Sequence, residues 1–225
     1  IVAGKEGDAA LLLGTLGRTF VPNRIVVSTT EDRVGALAAL APVAAEKVSD
    51  ELTEAKYEIH TIELTAATRE HVDETKALVK EVKAKFLLGV GGGSKIDIAK
   101  LAGAELDLPF MSIPTSASHD GIASPSASIV DDKTPHSIEA VMPLGILADT
   151  HIISKAPYRL LASGCADVLS NLTAIRDWEL AVRLKNEDYS STASILAKIS
   201  AETIMRSASL IKPMIEESVW IAVKP

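Results

Sequence analysis

The sequence predicts an α/β fold: an amino-terminal domain built on a parallel sheet (residues 1–154), then an all-helical carboxy-terminal domain (155–225) that reads as cut short. Three observations predict it. Short apolar runs alternate with helical stretches as far as residue 114. One of those runs, Phe86-Leu-Leu-Gly-Val90, leads straight into Gly91-Gly-Gly93 and a helix. Beyond Ala156 the apolar spacing is helical throughout.

Taken in order, the stretch from Lys5 through Ala9 to Gly17 is too short and too glycine-interrupted for a secretory leader and reads as an amphipathic first helix. Arg24 to Ser28 is a short apolar run bounded by Asn23 and by Thr29-Thr-Glu-Asp32, the pattern of a buried strand feeding a helix. Helical sequence occupies 33–56 with a break expected at Pro42. Tyr57 to Leu64 reads as a second strand, and Thr68 caps a helix whose Val72, Val79 and Val82 form a buried stripe. Phe86 to Val90 is the third strand, 95–105 the helix after the glycines, and Pro109 to Pro114 another buried strand.

Such alternation implies parallel pairing with right-handed crossovers. Ligands of these sheets gather beyond the carboxyl ends of the strands, where Thr29 to Asp32, Gly91 to Ser94 and Thr115 to Asp120 all fall, so three loops are expected at one crevice. A hairpin follows, Ser126 to Val130 and Ile138 to Met142 around the turn Asp131 to Pro135, and then a strand from Leu144 to Ala148. Ala166 to Lys185 and Tyr189 to Ile211 are helices, stopped by Pro213. The chain opens at Ile1 and closes on a helical pattern, Glu216 to Pro225, with no glycine cap, so it reads as part of a longer protein.

With 225 residues, 47% of them hydrophobic, the chain can bury a real core. A net charge of −7 argues against nucleic acid or an anionic membrane as partner. No apolar stretch approaches the ~20 residues that insertion into a bilayer needs. The single Cys165 excludes an internal disulfide and a cysteine-rich zinc site, and fits a cytoplasmic location.

The chemistry concentrates in a few places. Glycines at 91–93 remove the Cβ atoms that would hold a ligand away, and the helix behind them offers unpaired N–H groups and a positive dipole end, which suits a pyrophosphate. The alternative is a tight strand-to-helix turn with nothing bound. The loop is also not the Gly-x-Gly-x-x-Gly of a Rossmann first strand. Pro114 to Pro125 is crowded with small hydroxyls. Thr115, Ser116 and Ser118 suit ribose or phosphate oxygens and Asp120 suits a substrate hydroxyl, although an ordinary polar loop reads the same way. His119 taken alone reads as structural or merely exposed. Asp167 stands near small residues at an expected helix start, either as a carboxylate favoured by the helix dipole or as a metal ligand. None of His60, His71, His119, His136 and His151 has His-x-x-x-His spacing with another.

Together, Gly91 to Asp97, Pro114 to Pro125, Ala148-Asp-Thr150, Ile153 to Arg159 and Gly164 to Asp167 closely resemble the archaeal sn-glycerol-1-phosphate dehydrogenases. These form a branch of the superfamily that also holds iron-containing alcohol dehydrogenases, glycerol dehydrogenases and dehydroquinate synthase. The resemblance runs through nearly the whole chain. It implies a Rossmann-like amino-terminal domain and a helical domain for metal and substrate. It implies that Gly92, Gly93, Ser94, Lys95, Ile96 and Asp97 surround the pyrophosphate of NAD or NADP, with Thr115, Ser116, Ala117, Ser118 and Ser124 lining the dinucleotide. Asp120 and Asp167 would bind substrate and serve catalysis, Asp167 also as a ligand of Zn2+, while the family's histidine ligands fall past residue 225.

The implied reaction is reduction of dihydroxyacetone phosphate, a phosphorylated triose, to sn-glycerol 1-phosphate. Glycerol dehydrogenase is the runner-up, and a non-catalytic dinucleotide-binding piece is a third reading. Glu31 or Asp32 could bond a ribose 2′-hydroxyl and would repel a 2′-phosphate, yet Thr29 and Thr30 could tolerate either, so cofactor preference stays open, as do metal identity and a possible homo-oligomer.

Overall fold

The computed structural model describes residues 2–4, 24–29, 40–131, 134–212, 219 and 222–223. The readings of a first helix near 5–17, of Glu31 and Asp32 at the ribose, and of a helix through most of 216–225 lie outside those residues.

Eight strands are described: β1 (Val2–Gly4), β2 (Arg24–Thr29), β3 (Glu58–Glu63), β4 (Phe86–Gly91), β5 (Phe110–Pro114), β6 (Ser126–Asp131), β7 (Thr134–Glu139) and β8 (Gly145–Asp149). Six of them form one sheet in the order β1-β8-β5-β4-β2-β3, with every neighbouring pair parallel. The expected strands fall within a residue or two of these spans. The exception is the hairpin, whose return strand β7 precedes the expected Ile138–Met142 by several residues, because Val130 pairs with Pro135 in a tighter connection.

Residues of β4 alternate between two cores, as a pleated strand must when helices cover both faces. Leu87 packs with Phe110, Ile96 and Val72 on one side, while Phe86, Leu88 and Val90 pack with Met111, Ile113 and Leu52 on the other. Helix α1 (Leu40–Glu54) covers the second face. Pro42 is its third residue, in a first turn whose N–H groups have no intrahelical acceptor to lose, and the helical reading of 33–39 lies outside the described residues. Helices α2 (Arg69–Glu81) and α3 (Gly93–Leu106) cover the first face together with the β6–β7 hairpin, whose Ala127 and Ile129 point inward. Thr68 caps α2 as expected, its Oγ1 accepting the His71 N–H.

The helical part consists of the short α4 (Thr150–Ser154), the long α5 (Tyr158–Lys185) and α6 (Ser191–Ile211). A third apolar cluster, including Ala148, Ile153, Leu161 and Ile204, joins β8 and α4 to these two helices. Asp167 lies nine residues beyond the start of α5, not at a helix amino terminus. At 1.5 Å per residue that is roughly 13 Å into the helix, past the first turn in which the dipole favours a carboxylate. The helix dipole therefore does not account for a carboxylate at Asp167.

Candidate functional site

The glycine loop stands where the sheet reverses direction. From β2 the chain moves to β3 at one edge, then returns across β2 to β4 and continues outward through β5 and β8. The reversal falls between β2 and β4, and crevices at such points take the ligands of open α/β sheets. Thr29 ends β2, Gly91 ends β4, and Thr115 follows β5 with its N–H on the Gly91 carbonyl at 3.0 Å. Two of the three expected loops thus meet at the crevice. The third, after β2, is not described beyond Thr29.

The three glycines do three different things. Gly91 has φ 144°, a value that side chains avoid, so its role is to turn the chain out of the strand. Gly92, the N-cap of α3, has open space where a Cβ would stand, and no side chain caps the helix there. Its face is the one free for a ligand. A Cβ on Gly93 would instead run into the imidazole of His119. The expected ligand approach is thus Gly92's, while Gly93 makes room for a side chain.

Of the remaining expected dinucleotide residues, Thr115 and Ser116 are buried, and the Thr115 Oγ1 has no hydrogen-bond partner among the described residues. A buried hydroxyl without a partner costs free energy, so it fits a group that a bound molecule would satisfy. Ser94, Ala117, Ser118 and Ser124 are half-buried around the crevice, the last with a long 3.4 Å contact to the Ser126 carbonyl. Three others face elsewhere. Lys95 gives its Nζ to the Thr65 carbonyl at 2.9 Å. Ile96 is wholly within the core and offers a ligand only its backbone. Asp97 is buried against Lys100 at 3.1 Å and accepts the Ser128 N–H at 3.2 Å, so its carboxylate is already satisfied.

Lys100 escaped the sequence reading. Its side chain is 0% exposed, and its Nζ donates to Asp97, to the Gly121 carbonyl at 2.7 Å and to the Ser126 carbonyl at 2.6 Å. A buried ammonium demands such a full set of acceptors. The available signal was a lysine three residues after an aspartate, inside the apolar run Ile98-Ala-Lys-Leu-Ala102. Through Lys100, α3 fixes both the turn that carries Asp120 and the start of the hairpin.

Asp120 and Asp167 are brought together. The Asp120 N–H donates to Asp167 Oδ2 at 2.8 Å. What permits this is Gly164, one helical turn before Asp167: a Cβ there would overlap the Ala117 carbonyl, so only glycine lets the loop after β5 lie directly on α5. Although Asp120 is open to solvent by surface, the crowding of the cleft around it and then the Asp167 charge lift its carboxyl above its ordinary range.

Beside them is a cavity of about 200 Å3, lined by the loop residues His119, Asp120 and Ile122 and by α5 and α6 residues that include Gly164, Cys165 and Ser200. Burial pushes the Cys165 thiol up, which disfavours its thiolate. Among the described residues no group of three or more His, Cys, Asp or Glu could hold a metal ion. The described residues therefore do not complete a zinc shell.

Comparison with known proteins follows the same lines. The family described as iron-containing alcohol dehydrogenase matches residues 25–157. Among curated relatives, one from Picrophilus torridus, named glycerol-1-phosphate dehydrogenase [NAD(P)+], is 42% identical over 96% of this chain and 60% of its own length. Another of that name, from Methanosarcina mazei, is 46% identical over 99% of this chain and 59% of its own length. The chain thus spans about three-fifths of the length of these relatives. Among solved structures, a probable glycerol dehydrogenase from Sinorhizobium meliloti superposes with a TM-score of 0.78 at 18% identity, covering 98% of this chain and 62% of that one. Glycerol dehydrogenase from Schizosaccharomyces pombe gives 0.74 at 22% identity, covering 98% of this chain and 57% of that one. These two likenesses carry the fold.

Proposed function

We infer the function from the premise that this chain belongs to the iron-containing alcohol dehydrogenase family, and propose NAD(P)-dependent reduction of dihydroxyacetone phosphate to sn-glycerol 1-phosphate. In an archaeal cell this product would supply the glycerol backbone of ether lipids. Residues 1–154 act as the dinucleotide lobe, and 155–225 as the first part of the metal and substrate lobe. The observation that carries the reading is the Asp120 N–H on the Asp167 carboxylate, beside a glycine loop at the reversal of the sheet.

In this reading the dinucleotide pyrophosphate lies against Gly92 and the first N–H groups of α3, and Thr115 Oγ1 gains its partner there. Ser116, Ala117, Ser118 and Ser124 line the dinucleotide with small side chains that let a flat ring approach. Asp120 and Asp167 hold the ketone so that one face of its C2 carbonyl meets the ring carrying the hydride, and that orientation sets the configuration of the product. Bound NAD(P)H would supply the hydride to C2 and leave as NAD(P)+, and the carbonyl oxygen would take its proton from solvent. A zinc ion with Asp167 among its ligands would supply polarisation of that oxygen.

Asp167→Asn in the intact protein should lower kcat/KM by about 10²- to 10³-fold, the scale of losing one preorganised electrostatic group, with dinucleotide affinity kept. Comparable loss of NADH binding would make Asp167 structural. Turnover of dihydroxyacetone faster than of its phosphate would move the reading to glycerol dehydrogenase. A second reading is a dinucleotide-binding piece without turnover. Dinucleotide binding with no zinc in metal analysis of the purified chain would select it.

A further inference from the structure

The fold accounts for one nitrogen of His119 and leaves the other. Nδ1 accepts the Gly121 N–H at 2.9 Å, which assigns the hydrogen of the neutral ring to Nε2. The imidazole lies in a slot between two glycines: a Cβ on Gly121 would meet the Nδ1 side of the ring, and one on Gly93 the Nε2 side. Because the Cα–Cβ direction of a helical residue tilts toward the helix amino terminus, the Nε2 edge stands beside the first turn of α3, on the side where its first N–H groups emerge. Among the described residues nothing accepts from Nε2. Beside it a Cβ on Gly92 would meet open space, and Thr115 Oγ1, on a residue 1% exposed, has no hydrogen-bond partner among the described residues although its own backbone is tied to Gly91.

We propose that the His119 Nε2–H is a phosphate-binding donor, contacting a non-bridging phosphate oxygen of the ligand seated at Gly92 to Ser94. The inference rests on the dehydrogenase reading above and deepens it. Gly93 and Gly121 are small so that the imidazole can be held edge-on to the helix terminus, with one nitrogen spent on orientation and the other on the ligand. A neutral donor suits this place, since the helix terminus already supplies positive potential and a second full charge would slow release of an anion. The phosphate belongs either to the dinucleotide pyrophosphate or to the ester of the triose, and the two sources separate experimentally.

A merely structural His119 needs only its Nδ1 acceptor, whereas the proposal needs Nε2–H. Asparagine keeps an acceptor near the position of Nδ1, and glutamine keeps a donor near that of Nε2. His119→Gln should hold affinity within about threefold, and His119→Asn should lose about tenfold or more, the scale of a hydrogen bond to a charged group. Loss in NADH fluorescence titration assigns the pyrophosphate. Loss confined to KM for dihydroxyacetone phosphate, with dihydroxyacetone unaffected, assigns the ester. Nitrogen NMR of the wild-type protein gives a reading free of variants, in which the Nε2 resonance should move on addition of NADH or of dihydroxyacetone phosphate.

Equal behaviour of the Asn and Gln variants, a reversed order, or an Nε2 resonance unmoved by both ligands overturns the proposal while leaving the dehydrogenase reading in place. A wild-type protein that binds neither NADH nor dihydroxyacetone phosphate overturns both.

Discussion

The sheet lobe and the helical arm spend their apolar residues differently. In β4 and β5 every residue is buried, and α3 is buried from Lys95 to Gly103, polar side chains included. In α5 only Leu161 is fully buried, while Leu180 is 52% and Leu184 74% exposed, and α6 presents Ile195, Leu196, Ile199, Met205 and Leu210 to solvent. The lobe closes its own core and can therefore hold an ion pair inside it. Among the described residues the arm is tied to the rest by the cluster around Leu161 and Ile204, by the close approach at Gly164 and by the Asp120 N–H on Asp167. Stability should thus be sensitive to single atoms in the lobe and nearly indifferent to them along the arm's outer face.

The sharpest way to break that contrast is Lys100→Met. Methionine matches the length of the lysine stem but leaves the Asp97 carboxylate without its cation and the Gly121 and Ser126 carbonyls without their donor. Removing one partner of a buried pair costs about 3–5 kcal/mol, enough to move a urea midpoint by more than about 1 M in a domain of this size. A cost below about 1 kcal/mol would mean that the pair is solvated in solution and that the lobe is looser than its burial indicates.

Gly164→Ala probes the seam between the two regions and ranks next. The obstacle to a methyl group is the Ala117 backbone, which has no rotamer to yield, so overpacking should cost about 1–3 kcal/mol and push the loop off α5. The Asp120 N–H to Asp167 bond would lengthen with it, so thermal stability and kcat should fall together. Gly92→Ala is the control: with open space around that position, it should leave the thermal midpoint nearly unchanged and act on dinucleotide affinity. Equal destabilisation by the two variants would mean that the Ala117 carbonyl is not the obstacle at Gly164.

How far the sequence could be read follows the same division. Strands β4 and β5 were legible because strands buried on both faces read as unbroken apolar runs, and the glycine loop because its composition is extreme. The position of Asp167 was misread. The small residues Gly164-Cys-Ala166 look like a helix start, yet Gly164 is there for close approach of the Ala117 carbonyl inside a continuous helix. Lys95 and Asp97 were legible as neighbours of the loop, but not in direction, since which side of α3 meets the core depends on distant contacts such as that of Lys95 with the Thr65 carbonyl, which no local pattern encodes. The slot for His119 was invisible for a related reason: it needs two glycines far apart in sequence, and a histidine in a polar loop carries no mark of it.

The smallest expected effect tests the arm. Leu184 lies in the last turn of α5 at 74% exposure, and Leu and Gln have nearly the same helix propensity, so Leu184→Gln changes little but the polarity of an exposed face. Its cost should stay within about 0.5 kcal/mol by thermal unfolding. If the variant instead loses more than about 1 kcal/mol, and the loss grows with protein concentration, the face is covered in solution by another copy of the chain, since only an association equilibrium makes stability depend on concentration. A large loss independent of concentration would place the cover within the same molecule. The arm's apolar face would then be core in its own right, and the contrast with the lobe would be one of partners and not of composition.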